Sequence, residues 1–446
     1  MLKEWENKKI LILGFGKEGK DTYLFLRKIF KDKILGIADK KEKIEDKILK
    51  GDKKINYHLG KTYLKSLKDY DIILKSPGIP IHIPEIERAF KEKKITSQTE
   101  IFLKFLRKKV IGVTGTKGKS TTSSLIFHVL KNAGFKVNLV GNIGTPVLNF
   151  LLKKEKNDYF VSELSAHQLY NLKISPHIAI FLNFYPEHLD YYKNKKEYFK
   201  AKANIAKHQE KDDYFIFNDY QKILKDFSKK IKSKKYPISI CKIKKNWIYF
   251  KNKKIIDINK IRLLGDHNLD NLKFVIILTK ILNIDDKILK RAIYSFKPLS
   301  HRLEFIGNFK GIKFINDSIA TIPEATVFAI SAIKDVDTLI LGGFDRNLNF
   351  KKLAKEIKKR KIKNLIFFPD TGKKIYNEIL KIKKKSKHKF YFVDNMRDAV
   401  KIAFLVTKKR KSCLLSPASA SFNLFSDYKE RGNLFKKYVK YYGRQI

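Results

Sequence analysis

Cysteine is nearly absent. Two residues, Cys241 and Cys413, in a chain of 446 exclude a disulfide framework and a multi-cysteine metal site, and both read as inert small side chains. Long apolar runs are missing too. None approaches the ~18–20 residues of a membrane span, and the first, Ile10 to Leu13, ends at a glycine, too short for the core of an export signal. With no such signal the reducing cytoplasm is the expected compartment. Proline (11) and glycine (21) are sparse, and many fall at turns where a ligand can sit. Negative charge is scarce: 45 Asp and Glu face 97 Lys and Arg, a net charge of +52. The lysine clusters at 53–54, 229–235, 358–363 and 381–389 run along the whole chain rather than in one segment. That distribution fits a compositional bias better than a nucleic-acid interface. It still predicts attraction of anionic substrates and weak RNA adsorption at low salt, with no specific nucleic-acid partner and no membrane insertion.

What is present is material for real cores. Hydrophobic residues make up 43%, which excludes a wholly disordered chain, and the length suggests two to four domains at ~100–200 residues each. Short β-rich apolar runs alternate with helical stretches. Strands are expected at 10–13, 34–38, 72–74, 110–113, 160–161, 178–182, 312–315, 339–341, 365–368, 390–393 and 413–415. Such alternation implies an α/β fold of parallel sheets with helical crossovers. Three blocks separate at 1–106, 107–299 and 300–446, the last beginning after Phe296-Lys297-Pro298-Leu299. The lysine-rich stretch 222–254 is expected to be surface hairpin or loop without chemistry.

The strongest motif is Gly115-Thr116-Lys117-Gly118-Lys119-Ser120-Thr121, between an expected strand and a helical pattern. Glycines let backbone N–H groups turn toward phosphate oxygens, and the helix N-terminus adds a favourable dipole. Lys119 can bridge β- and γ-phosphates, while the Ser120 or Thr121 hydroxyl can bind Mg²⁺. Val113 stands where the common spacing asks for glycine, so the loop is a variant. A second motif, Gly14-Phe15-Gly16-Lys17-Glu18-Gly19, follows the first strand, and Asp39 ends the next. Taken literally it is a dinucleotide fingerprint. A UDP-linked ligand presents the same pyrophosphate and ribose, and a ligand-free turn would look alike.

Glu163 and His188 each follow an expected strand of the central block, at the carboxyl ends where α/β sheets bind ligands. A carboxylate and an imidazole beside a triphosphate suit Mg²⁺; a structural or solvated side chain is the alternative for each. In Leu264-Gly265-Asp266-His267-Asn268-Leu269-Asp270-Asn271, a helical conformation puts Asn268 and Asn271 on one face, where their amides can pair with a purine edge; a capping segment is the alternative. The third block has polar clusters near strand ends: Asn316-Asp317-Ser318, Gly342-Gly343-Phe344-Asp345-Arg346, Asp370-Thr371-Gly372 and 416–422. Arg346 can hold a carboxylate, and Ser421 with adjacent backbone N–H groups another. Ordinary loop polarity is the alternative for each.

Together these residues resemble the Mur ligases, ATP-dependent amino-acid-adding enzymes of peptidoglycan synthesis. Ser76-Pro77-Gly78-Ile79, Gly141-Asn142-Ile143-Gly144, 163–169, Asn316-Asp317-Ser318-Ile319-Ala320-Thr321 and the run 415–435 fit the D-glutamate-adding branch. The likeness runs colinearly through all three blocks. It implies an N-terminal Rossmann-like domain for the UDP substrate, a central P-loop ATPase with a mostly parallel sheet, and a Rossmann-like C-terminal domain for the amino acid. Gly14, Phe15, Gly16, Asp39, Ser76, Pro77, Gly78, Asn142 and Gln168 would then serve UDP-N-acetylmuramoyl-L-alanine. ATP would take residues 115–121, Asn268, Asn271, Arg302 and Asp317. Thr321, Arg346, Ser421, Phe422 and Tyr428 would surround D-glutamate. Two Mg²⁺ ions are implied, one on Ser120 and Thr121, the other on Glu163, His188 and a carbamylated lysine matching Lys202. Lys200 is a near competitor on another helix side. Lys119, His188 and Lys202 are the implied catalytic set, in a monomer.

Two departures stand out. Ile319 replaces a lysine frequent in the family, and Phe344-Asp345-Arg346 stands where some members place a glycine-rich turn with lysine. No Asp-Asn-Pro-Arg motif appears, which argues against the ligase that adds a diamino acid. The implied chemistry is phosphoryl transfer from ATP to a carboxylate, then attack by the amino-acid amine through a tetrahedral intermediate. Residues drawn from three domains would require closure around the substrates. Three other readings remain. A folate polyglutamate ligase shares the central domain and predicts ATP hydrolysis stimulated by a folate and L-glutamate. An NAD oxidoreductase would follow from the first glycine motif alone and leaves 115–121 unexplained. A basic nucleic-acid-binding ATPase would follow from charge and predicts RNA-stimulated turnover at physiological salt.

Overall fold

The computed structural model describes residues 2–153, 157–187, 191–263, 265–382 and 388–444, except the side chains of Asp266 and His267. Contacts divide the chain into two units. One is Met1–Ile261 with Leu269–Phe296, the other Arg262–Asn268 with Lys297–Ile446.

The first unit contains two sheets that are parallel throughout. In one, the spatial order is Ile55–Leu59, Leu35–Asp39, Ile10–Leu13, Ile72–Lys75 and Ile95–Thr96. The central strand Ile-Leu-Ile-Leu is wholly buried, as expected of a parallel strand covered on both faces. Its neighbours lie on opposite sides and connect in opposite directions. The loops after Leu13 and Lys75 therefore flank a switch point, where open α/β sheets leave a crevice.

The other sheet has the order Lys234–Pro237, Tyr214–Phe217, Ile178–Phe181, Val110–Thr114, Tyr159–Glu163 and Val137–Gly141. Val110–Thr114 lies between the strands that end at Glu163 and Phe181, so three loops converge at one end. The expectation for 222–254 is corrected here. Lys222–Ser228 is helical and Lys234–Pro237 is the parallel edge strand of this sheet. Lys-Lys-Tyr-Pro was illegible as a strand because an edge position tolerates exposed lysines and a terminal proline. Cys241–Lys244, Trp247–Phe250 and Lys253–Asp257 do form an antiparallel three-stranded sheet.

In the second unit the order is Glu304–Phe309, Ile312–Asn316, Ser412–Leu415, Val336–Gly343, Asn364–Asp370 and Lys389–Phe392. The first pair is antiparallel and the others are parallel. Two apolar cores cover its faces, one on the Lys351–Lys359 and Thr371–Leu380 helices, the other on Met396–Val406 and Tyr428–Arg444. Expected strand 34–38 is observed as Leu35–Asp39, with Ile34 65% exposed outside it.

Candidate active site

Residues 115–118 leave the strand Val110–Thr114 and enter the helix Lys119–Asn132. Gly118 caps that helix at φ +85°, and a Cβ there would lie 2.7 Å from Asn271 Oδ1. Only glycine satisfies both the left-handed backbone and the close approach. The adenine candidate Asn271 thus sits against the loop, on the helix Asp266–Ile281. Asn268 lies on the same helix and is buried, as is Asn271.

Lys119 Nζ donates to the loop's own carbonyls, Gly115 O at 2.9 Å and Thr116 O at 3.0 Å. Thr121 is buried and Ser120 half-buried in the first helical turn. The segment after Phe181 wraps the loop from the other side. Asn183 Oδ1 accepts from Lys117 N at 2.9 Å, its Nδ2 donates to Lys117 O, and Asn183 O accepts from Thr116 N. Glu187 pairs with Lys117 Nζ at 2.6 Å. Sequence reasoning singled out His188 in this segment and missed Asn183 and Glu187. The Asn-Phe-Tyr-Pro-Glu run at a strand end was the available signal. His188 lies outside the described residues.

Glu163 ends its strand 1% exposed. One oxygen, Oε1, accepts from Asn142 Nδ2 at 2.7 Å. The other, Oε2, is buried with no hydrogen-bond partner. An unsatisfied buried carboxylate oxygen is expensive to keep and suits a cation ligand. Lys202 is also 1% exposed, on the helix Lys195–Lys207, and donates to Gly115 O at 2.8 Å. Lys200 is exposed. Burial, reinforced by the charge of Lys119, holds the Lys202 amine well below the ordinary lysine range, with Glu187 and Glu163 opposing. A desolvated amine that favours its neutral form is the state carbamylation requires. Among the described residues, which do not include His188, no cluster of three His, Cys, Asp or Glu side chains is poised for a metal.

At the first sheet's switch point, Asp39 Oδ2 accepts from Phe15 N at 2.7 Å and Ser76 Oγ donates to Gly14 O at 2.9 Å. These bonds shape the Gly14–Gly16 turn, with Pro77 and Gly78 beside it. Tyr191 OH donates to Pro77 O and to Ile79 O. Gln168 Nε2 donates to Glu18 Oε1 at 2.9 Å, linking the turn's helix to the central sheet. Lys75, at the strand end before Ser76, is a further cation that sequence reasoning missed. It is buried, which lowers it to about 8 against the pull of Glu18.

In the second unit, Asp317 is buried, accepting from Leu303 N at 3.2 Å and Ser416 Oγ at 2.9 Å. Burial raises its carboxyl to about 7. Arg302 Nε is buried without a hydrogen-bond partner, between His301 at φ 65° and Leu303 at φ 43°. Such strained backbone persists where surroundings over-determine it. Arg346 lies with its guanidinium 5.4 Å above the Phe422 ring, and Phe344 meets Phe422 edge-on at 6.3 Å. Asp345 pairs with Lys374, which leaves Arg346 uncommitted to it. Ser421 is buried, Thr321 and Tyr428 are half-buried, and Tyr428 O accepts from Ser318 Oγ. Ile319 presents no charge, and its N–H donates to His301 O.

Comparison with known proteins gives a consistent result. Residues 8–96 match the family model described as Mur ligase MurD-like, N-terminal domain, residues 113–279 the Mur ligase middle domain, and residues 301–419 the Mur ligase, glutamate ligase domain. The UDP-N-acetylmuramoylalanine--D-glutamate ligase of Thermoanaerobacter sp. is 33% identical over 452 residues, covering 98% of this chain and 99% of that one. The ligase of the same name from Clostridium tetani is 33% identical over 448 residues, covering 97% of each. The crystal structure of MurF ligase from Thermotoga maritima in complex with ADP shares the fold, with a TM-score of 0.59, 17% identity, and 99% and 98% of the two chains covered.

Proposed function

The chain belongs to the Mur ligase family, in the branch of the D-glutamate ligases, and from that premise we infer that it joins D-glutamate to UDP-N-acetylmuramoyl-L-alanine, driven by ATP, in peptidoglycan precursor synthesis. It is an amide-forming ligase. The observation that carries the site assignment is the convergence on Gly115 of Lys119 and the desolvated Lys202 amine, both donating to its carbonyl, with the half-satisfied carboxylate of Glu163 one strand away.

A carboxylate is a poor electrophile, because its oxygen is a poor leaving group. Transfer of the γ-phosphoryl group to that oxygen gives an acyl phosphate, and the D-glutamate amine then displaces phosphate through a tetrahedral intermediate. Such transfer needs positioning and charge neutralisation more than covalent protein chemistry. Lys119 would leave the loop carbonyls for the phosphate oxygens, a short movement for a flexible side chain. Backbone N–H groups of 118–121 and the helix dipole would hold the remaining negative charge, since those of Thr116 and Lys117 are taken by Asn183. Mg²⁺ would supply electrostatic stabilisation of the transferring group, held by Ser120 and Thr121 at one position and by Glu163, His188 and carbamylated Lys202 at the other. Asn142 fixes the rotamer of Glu163. Asn271 would meet adenine beside Gly118. Asp317 and Arg302 would face the nucleotide.

The turn 14–16 with Asp39, Ser76, Pro77 and Gly78 would take the UDP group, and Asn142 and Gln168 the sugar-peptide end. Arg346, Thr321, Ser421, Phe422 and Tyr428 would hold D-glutamate, with Arg346 offering bidentate geometry to a carboxylate. Both cysteines are free and buried, which suits a reducing cytoplasm. Among the described residues no helix is long and apolar enough to cross a membrane. The test is phosphate release from ATP with the UDP substrate present and D-glutamate, L-glutamate or neither added. Turnover dependent on D-glutamate is expected. Stimulation by a folate with L-glutamate instead would replace this reading with a folate ligase.

A further inference from the structure

Among the described residues Arg431 is the largest fully buried side chain, 0% exposed. It projects from the helix Tyr428–Arg444 into the strand-end loops of the second unit. Nε donates to Ser318 Oγ at 3.0 Å, Nη1 to Ala420 O at 3.2 Å, and Nη2 to Ser318 O at 2.9 Å and Ser419 O at 3.1 Å. Every acceptor is a carbonyl or a hydroxyl. Among the described residues no carboxylate lies within ion-pair distance of it. Burial alone lowers its pKa, to about 9, still above the physiological range. A buried cation without a counter-ion is costly, and core packing does not require one.

The loops it holds are those of the amino-acid site. Ser318 is three residues before Thr321, and Ser419 and Ala420 immediately precede Ser421 and Phe422. A third loop is tied in. Phe344 N donates to Ala420 O at 2.9 Å, and a Cβ on Gly343 would meet Ala420 O at 2.2 Å and Arg431 Nη1 at 3.2 Å. Thr371 Oγ1 bonds Gly343 O and Ser419 Oγ. One guanidinium therefore sets the relative positions of the segments bearing Thr321, Arg346, Ser421 and Phe422. D-glutamate brings two carboxylates and one ammonium, a net negative charge.

We propose that Arg431 is a positioning residue for the amino-acid substrate, fixing the three pocket loops through their carbonyls and placing an uncompensated positive charge behind them that favours a dicarboxylate amino acid over a monocarboxylate one. This rests on the D-glutamate reading above. Arg431 touches no substrate in this role. Its fork orders the carbonyls, and its charge acts through a low-dielectric interior, where screening is weak.

The test is steady-state kinetics on the full chain, measuring KM for each of the three substrates together with kcat. Arg431→Lys keeps a charge and loses the planar fork, and Arg431→Met loses both. KM for D-glutamate is expected to rise about tenfold in the lysine variant and more in the methionine variant, with kcat within about threefold and the KM values of ATP and the UDP substrate within about twofold. Ser318→Ala, which removes the Nε acceptor and with it the hydroxyl that donates to Tyr428 O, is expected to raise KM for D-glutamate about threefold, and it carries the test should both Arg431 variants fail to fold. Ser318→Ala with an unchanged KM for D-glutamate overturns the proposal. So does any Arg431 variant that lowers kcat alone or raises all three KM values equally, and D-glutamate dependence in the unaltered protein then leaves the functional reading standing. Absence of D-glutamate dependence in the unaltered protein overturns both.

Discussion

Replacing Asp317 by asparagine is expected to remove a pH dependence from the stability of the C-terminal unit. Burial raises this carboxyl from its ordinary 3.8 to about 7, so the folded protein retains a proton that the unfolded chain releases at lower pH. The stability gained from that proton is fully present below the unfolded value and is lost as pH rises through about 7. At ~1.36 kcal/mol per unit the full span amounts to about 4 kcal/mol, more than half of which falls between pH 5 and pH 8. Asparagine can still accept from Leu303 N and pair with Ser416 Oγ, the two partners Asp317 has now, so the substitution removes the titration without orphaning either. The assay is amide hydrogen exchange in Ile312–Asn316 and Ser412–Leu415, comparing the two proteins at matched pH without nucleotide. Near parity is expected at pH 5, and at pH 8 the variant should be protected by roughly 60-fold more. Ratios that agree within about threefold at the two pH values would refute the argument.

Three further outcomes are expected. Lys119→Ala should lower turnover by about 1000-fold or more while leaving the fold intact by circular dichroism, because its ammonium is the mobile charge at the phosphate loop. Lys202→Ala should lower kcat by at least ~100-fold, with partial recovery when formate or acetate is added, and mass spectrometry of the unaltered protein under bicarbonate should show one carbamate at Lys202. Asp213→Ala should lower the unfolding free energy measured by urea titration by about 3–5 kcal/mol, because its fully buried carboxylate pairs with Arg107 and with His177 and its loss leaves Arg107 uncompensated.

The parts of the site that were legible in sequence are those whose geometry is local. Residues 115–121 announce a phosphate loop because consecutive N–H groups, glycines and the helix N-terminus are set within a few residues. Glu163 was legible as a polar residue ending an apolar strand. The strand Ile10–Leu13 could be read because a fully buried parallel strand is continuously apolar. Ile55–Leu59 and Lys234–Pro237 could not, because edge strands are half exposed and carry no such run. Lys202 came only through family resemblance, since nothing near it in sequence says that a lysine on that helix is buried against Gly115 O. Arg431 and Lys75 were missed for the same reason. Their burial is made by segments up to 113 residues distant in the chain for Arg431, and a lysine or arginine in a chain with 97 of them carries no signal by its type.

The central claim is that ATP bound at 115–121 makes a substrate carboxylate reactive by phosphorylating it. The most direct measurement uses UDP-N-acetylmuramoyl-L-alanine labelled with ¹⁸O in its terminal carboxylate, incubated with ATP and D-glutamate, followed by mass analysis of the phosphate released. The account predicts one labelled oxygen in each phosphate, because the carboxylate oxygen that attacks phosphorus leaves with it. Unlabelled phosphate accompanying amide product would contradict it.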